Sequence, residues 1–237
     1  SNFCALPKFN GAAPGTYNSK SEVGAVTLYC VTRDARIYYT LDGSEPDIND
    51  TLNTFLYSGE IKLNEEGNTV IRARSYRDDA LPSKIVTGSF IFADEGFHGK
   101  CGGFTVPVVS IVAEPDHFYS DQIGIYVKGE NGIEGKGDCG NGVDEKRNYN
   151  QDWKRPVNFE FIENGNVMVS QSLEAAVMGG CSRGDNRKWK SLKITASKKQ
   201  GSGGSLIGYK DFFEDKSNME FKAVQLRNGG NDYDGID

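Results

Sequence analysis

Over its first 92 residues the chain repeats short runs in which apolar and polar side chains alternate, each run closed by a turn signal. That spacing is the pattern of a β-sandwich. In AVTLYCV, Val26, Leu28 and Cys30 share one face; in RIYYTL, Ile37, Tyr39 and Leu41 do; in TVIRARSY, Ile71, Ala73 and Ser75 lie opposite Val70, Arg72 and Arg74. A period of two places alternate residues on one face of a strand. The breaks fall at Asn10-Gly11, Pro14-Gly15, Asp42-Gly43, residues 64–68 and Asp78-Asp79. With 29 Gly and only 7 Pro in 237 residues, the chain has the turn formers that many short strands require and none of the periodicity of collagen.

A polar, Gly-rich bridge at residues 94–103 divides a first unit, 1–93, from a second, 104–237. The second opens on an apolar run, 106–112, which reads as a strand buried on both faces. EPDHFYSD predicts a short helix with Pro in its first turn, followed by a strand over GIYV. Residues 128–152 lack periodicity and predict a long loop. RPVNFEFIE turns Val157, Phe159 and Phe161 inward, and Asn164-Gly165 is a strong hairpin signal leading into NVMVSQS. KSLKITA points Leu192, Ile194 and Ala196 one way, GYKDFFED predicts one or two helical turns, and FKAVQL predicts a last strand.

The formal charge of −6 argues against general nucleic-acid binding, which rewards a positive field. One stretch reverses the sign. Between residues 183 and 199 seven basic side chains face one acidic, Asp185. No apolar run approaches the roughly 20 residues of a transmembrane helix, and the first residues, SNFCALP, do not form a targeting signal. Cys4, Cys30, Cys101, Cys139 and Cys181 are odd in number with no C-x-x-C pair, which leaves open both all-free thiols and one or two bridges with a thiol over.

Most motif matches reduce to simpler readings. Gly135, Gly137 and Gly140 fit G-x-G-x-x-G without the flanking strand and helix of a dinucleotide site, and read as a surface loop. GCSRG places Ser182 in a G-x-S-x-G pattern, but His98 and His117 both precede it, against the order a hydrolase elbow needs. His98, Cys101, His117 and Cys139 have the atom types of a zinc site without its spacing. Asn231, Asp232, Asp234 and Asp237 offer oxygens for a hard cation in what is otherwise a solvated turn. The basic island is more informative: loop N–H groups beside Arg183 and Lys190 are the fixed donors and charge that phosphate oxygens need, while Lys193, Lys198 and Lys199 suit a solvated edge.

IYYTLDGSEP (37–46), followed by TVIRARSY and GSFIF, resembles the repeat found in the C-terminal region of chitobiase and β-hexosaminidase. That resemblance implies an Ig-like β-sandwich serving as an accessory module without catalytic residues. FTVPVVSIVAEPDHFYSDQIGIYV, NQDWKRPVNFEFIENG, GCSRGDNRKWKSLKI and FKAVQLRNGGND, in that order, resemble the N-terminal part of the CotH family, named for a spore-coat protein and containing kinase-like phosphotransferases. The combined expectation is a mainly β chain, an Ig-like sandwich followed by a β-rich α+β unit that is an incomplete CotH-like domain. The resemblance implies a secreted or cell-surface bacterial protein, in an extracellular or periplasmic setting, that uses ATP and Mg²⁺ to phosphorylate Ser or Thr of a partner protein. It places Arg183 and Lys190 at nucleotide phosphates. It also implies that the catalytic acidic residues follow Asp237, so that the 237 residues alone are inactive, hold no cofactor and carry no catalytic residue. The alternative is a non-catalytic adhesion, glycan-associated or structural module, with Tyr38, Tyr57, Tyr149 and Trp153 as exposed faces for sugar.

Overall fold

A computed structural model describes residues 2–94, 103–135, 145–185, 187–198, 205–213 and 219–228. The chain is mainly β and divides into two compact units, one formed by Ser1–Val112 with Glu160–Ser170 and one by Ala113–Phe159 with Gln171–Asp237. The units do not follow a single cut at 94–103, because the 108–112 strand and a hairpin tip group with the first. No helix among the described residues is long and apolar enough to cross a membrane.

The first unit is a sandwich. β1 (Lys8–Gly11) pairs antiparallel with β3 (Val26–Tyr29), while β2 (Gly15–Tyr17), β4 (Arg36–Thr40), β5 (Phe55–Leu56), β6 (Thr69–Tyr76) and β7 (Val86–Phe92) form a second sheet in the order β2-β7-β6-β4-β5. β2 runs parallel to β7, and the other pairs are antiparallel. The alternation of the sequence sets the core between them: Val26 and Leu28 from β3 meet Ile37, Ile71, Ala73, Phe90 and Phe92, with Ile61 beside them. Each large apolar side chain so buried contributes roughly 1.5–3 kcal/mol. Gly88 is required in β7, since a Cβ there would lie 2.5–2.7 Å from Phe9 and Pro14 carbons.

The DGSEP turn is fastened from several sides. Gly43 takes φ +85°, and the Asp42 carboxylate accepts from the Ser44 N–H at 3.0 Å and from its hydroxyl at 2.6 Å. Arg72, buried in β6, donates to the Gly43 carbonyl at 3.1 Å and to Glu45 at 3.3 Å. Tyr76 donates to the Pro46 carbonyl at 2.9 Å.

β8 (Val108–Val112) is half-buried along most of its length, so it is not the doubly covered strand its apolar run predicts. β9 (Arg155–Glu163) and β10 (Asn166–Val177) form the expected hairpin. Asn164 and Gly165 both take positive φ, 50° and 83°, the two-residue turn whose twist suits a hairpin. Beside the predicted Val157, Phe159 and Phe161, the alternate residues Asn158, Glu160 and Ile162 are buried too.

In the second unit, α1 (Pro115–Tyr119) is the predicted short helix with Pro in its first turn. GIYV forms bends rather than a strand, because Gly124 and Ile125 bond back to Ser120 and His117. β10 continues into β11 (Leu192–Thr195), which pairs with β12 (Ala223–Leu226). Leu192, Ile194 and Ala196 are buried as their alternation predicts. Residues 208–213 are not helical, and the rest of GYKDFFED lies outside the described residues.

Candidate functional site

The basic island folds around the end of β10. After Val177 the chain makes a glycine turn, with Gly179 at φ +98°, then a single 3-10 turn over Cys181–Arg183, and returns as β11. The Met178 N–H donates to the Ser191 carbonyl at 2.9 Å, closing the loop at its base. An open cleft of about 470 Å³ lies against this loop, lined by Met178, Gly179, Gly180, Cys181, Ser182, Ser191, Gln225 and Arg227. Asn228 braces it: its side-chain amide donates to the Ser182 carbonyl at 2.9 Å and the Trp189 carbonyl at 2.7 Å, and its N–H donates to the Ser191 hydroxyl at 3.1 Å.

Arg183 and Lys190 are brought together on Tyr149. The Lys190 ammonium sits over the Tyr149 ring at 4.4 Å from its centre, while Arg183 donates to the Tyr149 carbonyl at 3.3 Å. Neither cation lines the cleft. Lys190 is buried and donates to the Arg187 carbonyl at 3.2 Å and the Gly184 carbonyl at 3.5 Å, so it holds the loop in place. The Tyr126 hydroxyl locks the same residue, accepting from its N–H at 2.6 Å and donating to its carbonyl at 3.2 Å. Burial lowers the Lys190 ammonium pKa, with Asp185 opposing. Burial also lowers the Arg183 guanidinium pKa, with Asp152 and Tyr149 opposing, and its Nε is buried without a hydrogen-bond partner.

Asp185, the one acid of the island, ties it to the long loop. It accepts from Arg147 at 2.9 and 3.2 Å, from Lys128 at 2.7 Å and from the Tyr149 hydroxyl at 2.5 Å. Partial burial pushes its carboxyl up, but these donors outweigh it and hold the pKa well below the ordinary carboxylate value. Burial, together with the bond to Asp185, pushes the Tyr149 hydroxyl well above its usual value. Sequence patterning treats Asp185 as an isolated exception and does not single out Arg227; the only signal for Arg227 is its place directly after the last strand, whose neighbour β11 leads out of the glycine loop.

The remaining candidates separate cleanly. Ser182 lines the cleft, but His117 Nδ1 is buried without a partner and does not serve it as a base. Cys181 is disulfide-bonded, and Cys4 and Cys30 are free thiols. His98, Cys101, Cys139, Asn231, Asp232, Asp234 and Asp237 lie outside the described residues, as does most of the Gly135, Gly137, Gly140 motif. Among the described residues no three His, Cys, Asp or Glu side chains are grouped to hold a metal ion. Of the aromatic faces expected to meet sugar, Tyr149 is 1% exposed and offers none, because its ring is covered by Lys190. Tyr38, Tyr57 and Trp153 are half-buried. Tyr38 packs edge-on to Tyr76, the Tyr57 hydroxyl accepts from the Leu28 N–H, and Trp153 is covered by Arg155.

Residues 26–90 match the protein family described as Fn3 associated. No curated protein and no solved structure matches the chain. The Fn3-associated stretch is that of the sandwich, from β3 through most of β7, and within it the polar residues Asp42, Ser44, Glu45 and Arg72 are engaged with one another and the backbone. In this stretch the motif is a device for holding a turn.

Proposed function

We propose that the chain belongs to a secreted or cell-surface bacterial protein in which the Fn3-associated sandwich accompanies a phosphate-binding unit of the CotH, kinase-like type. ATP with Mg²⁺ is the donor in this reading and a Ser or Thr of a partner protein the acceptor. The observation that carries it is the cleft over the glycine loop. Its volume falls within the roughly 300–1,000 Å³ of small-molecule sites. Gly179, Gly180 and Arg227 all line it, so backbone dipoles and a positive side chain are available in one cleft, the combination phosphate groups require. Phosphoryl transfer is served mainly by such positioning and electrostatics. The disulfide at Cys181, in the cleft wall, fits an oxidising compartment.

Arg183 and Lys190 enter this reading as supports of the loop, since Lys190 is spent on the Arg187 carbonyl and the Tyr149 ring and Arg183 donates to the Tyr149 carbonyl. That internal use of both cations favours the second reading, a non-catalytic surface module, and one measurement separates the two. Calorimetric titration of the chain with ATP, with and without Mg²⁺, is expected to show binding that weakens about tenfold in Arg227→Ala, the scale of one charge-assisted contact. Absence of heat at millimolar ATP, or equal affinity in the variant, overturns the phosphate-binding reading in favour of the surface module.

A further inference from the structure

Glu160 is 1% exposed, at the centre of the first unit's added strands. Its Oε2 accepts from the Ser89 hydroxyl of β7 at 2.5 Å, and Ser89 shares a 2.8 Å hydrogen bond with the Ser110 hydroxyl of β8. Ser170 of β10 also bonds the carboxyl. One polar cluster therefore joins four strands. Its Oε1 is buried with no hydrogen-bond partner. The groups facing it from the strands around it are hydroxyls, Ser89, Ser110 and Ser170, and no charged side chain among the described residues acts on it. A carboxylate in that setting is shut off from bulk solvent and meets no counter-charge, whereas the neutral acid has no charge to bury and still leaves Oε2 to accept from Ser89.

We propose that Glu160 is a proton-operated latch: as the neutral acid it fastens β8 and the tip of the β9–β10 hairpin to the sandwich, and its ionisation loosens them. β8 is suited to release, being only half-buried while β7 beneath it is almost wholly covered. Burial, opposed only in part by the serines, raises the carboxyl pKa to about 7, so the latch works across the range between acidified and neutral surroundings.

The experiment is hydrogen exchange of the whole chain at pH 5.5 and 8.5, expressed as protection relative to intrinsic rates. Protection of residues 108–112 and 160–170 is expected to fall at least about tenfold at the higher pH, with β3 and β6 unaffected. In Glu160→Gln, which cannot ionise, the difference should vanish. Equal protection at both pH values in the unaltered chain, or the same loss in the Gln variant, overturns the latch. Should the variant not fold, carbon-13 NMR of the Glu160 carboxyl decides: a midpoint near 7 that coincides with the loss of protection supports the latch, and a midpoint below 5 overturns it.

Discussion

The ammonium of Lys190 lies 4.4 Å from the centre of the Tyr149 ring, and both are buried. This pair, rather than the exposed part of the basic island, gives the second unit its organised loop. Tyr149 belongs to the long segment after α1, and Lys190 to the return from the glycine turn, so the contact joins two stretches that carry little regular structure.

Replacement of Lys190 by Met keeps the apolar stem but leaves the Gly184 and Arg187 carbonyls without their donor. A loss of about 1–3 kcal/mol in urea unfolding is expected, with faster exchange of the 181–190 amides. An unchanged midpoint would show that the ammonium does not hold the loop.

Asp185→Asn removes the charge on which Arg147, Lys128 and Tyr149 converge. With the side chain 24% exposed, solvent screening limits the cost to about 1–2 kcal/mol. Because the folded carboxyl titrates below its ordinary 3.8, this stability is fully present above that pH and is lost as pH falls through the lower folded value. Acid unfolding should thus be less steep below about pH 4 in the variant than in the parent chain.

Glu160 has the opposite sign. A carboxyl titrating near 7 when folded and 4.5 when unfolded contributes roughly 3 kcal/mol, fully present below pH 4.5 and lost as pH rises through 7. Thermal melts between pH 5 and 8 should show a falling midpoint that flattens in Glu160→Gln.

Gly88→Ala places a methyl group against Phe9 and Pro14 at 2.5–2.7 Å. An overpacking cost of about 1–3 kcal/mol is expected in chemical denaturation, and a variant as stable as the parent would mean that β1 yields easily.

The strands were legible wherever packing has a period: Val26 with Leu28, Ile71 with Ala73, Leu192 with Ile194 all face a core. Asn164-Gly165 was legible because its turn demands positive φ from both residues. Periodicity failed at GIYV, whose backbone bonds close locally on α1, and in β9, where both faces are covered and Glu160 is hidden in an apparently polar position. The basic island was visible as charge but not as geometry. A sequence shows that Lys190 is positive; that its charge is consumed by two carbonyls and a ring from residue 149 depends on long-range contacts.

The first unit is discontinuous along the chain, closed by residues 160–170 after an excursion of about fifty residues. A ribosome adding roughly 5–20 residues per second delivers Val112 several seconds before Ser170. Through that interval β2 and β7 are already made, while the Ser89 hydroxyl waits for the Glu160 carboxyl and Gly15 lacks Asn166, its partner on the side away from β7. The nascent sandwich is therefore exposed for a defined time to any neighbour with a free strand, and the synthesis rate through residues 113–159 sets how long that exposure lasts.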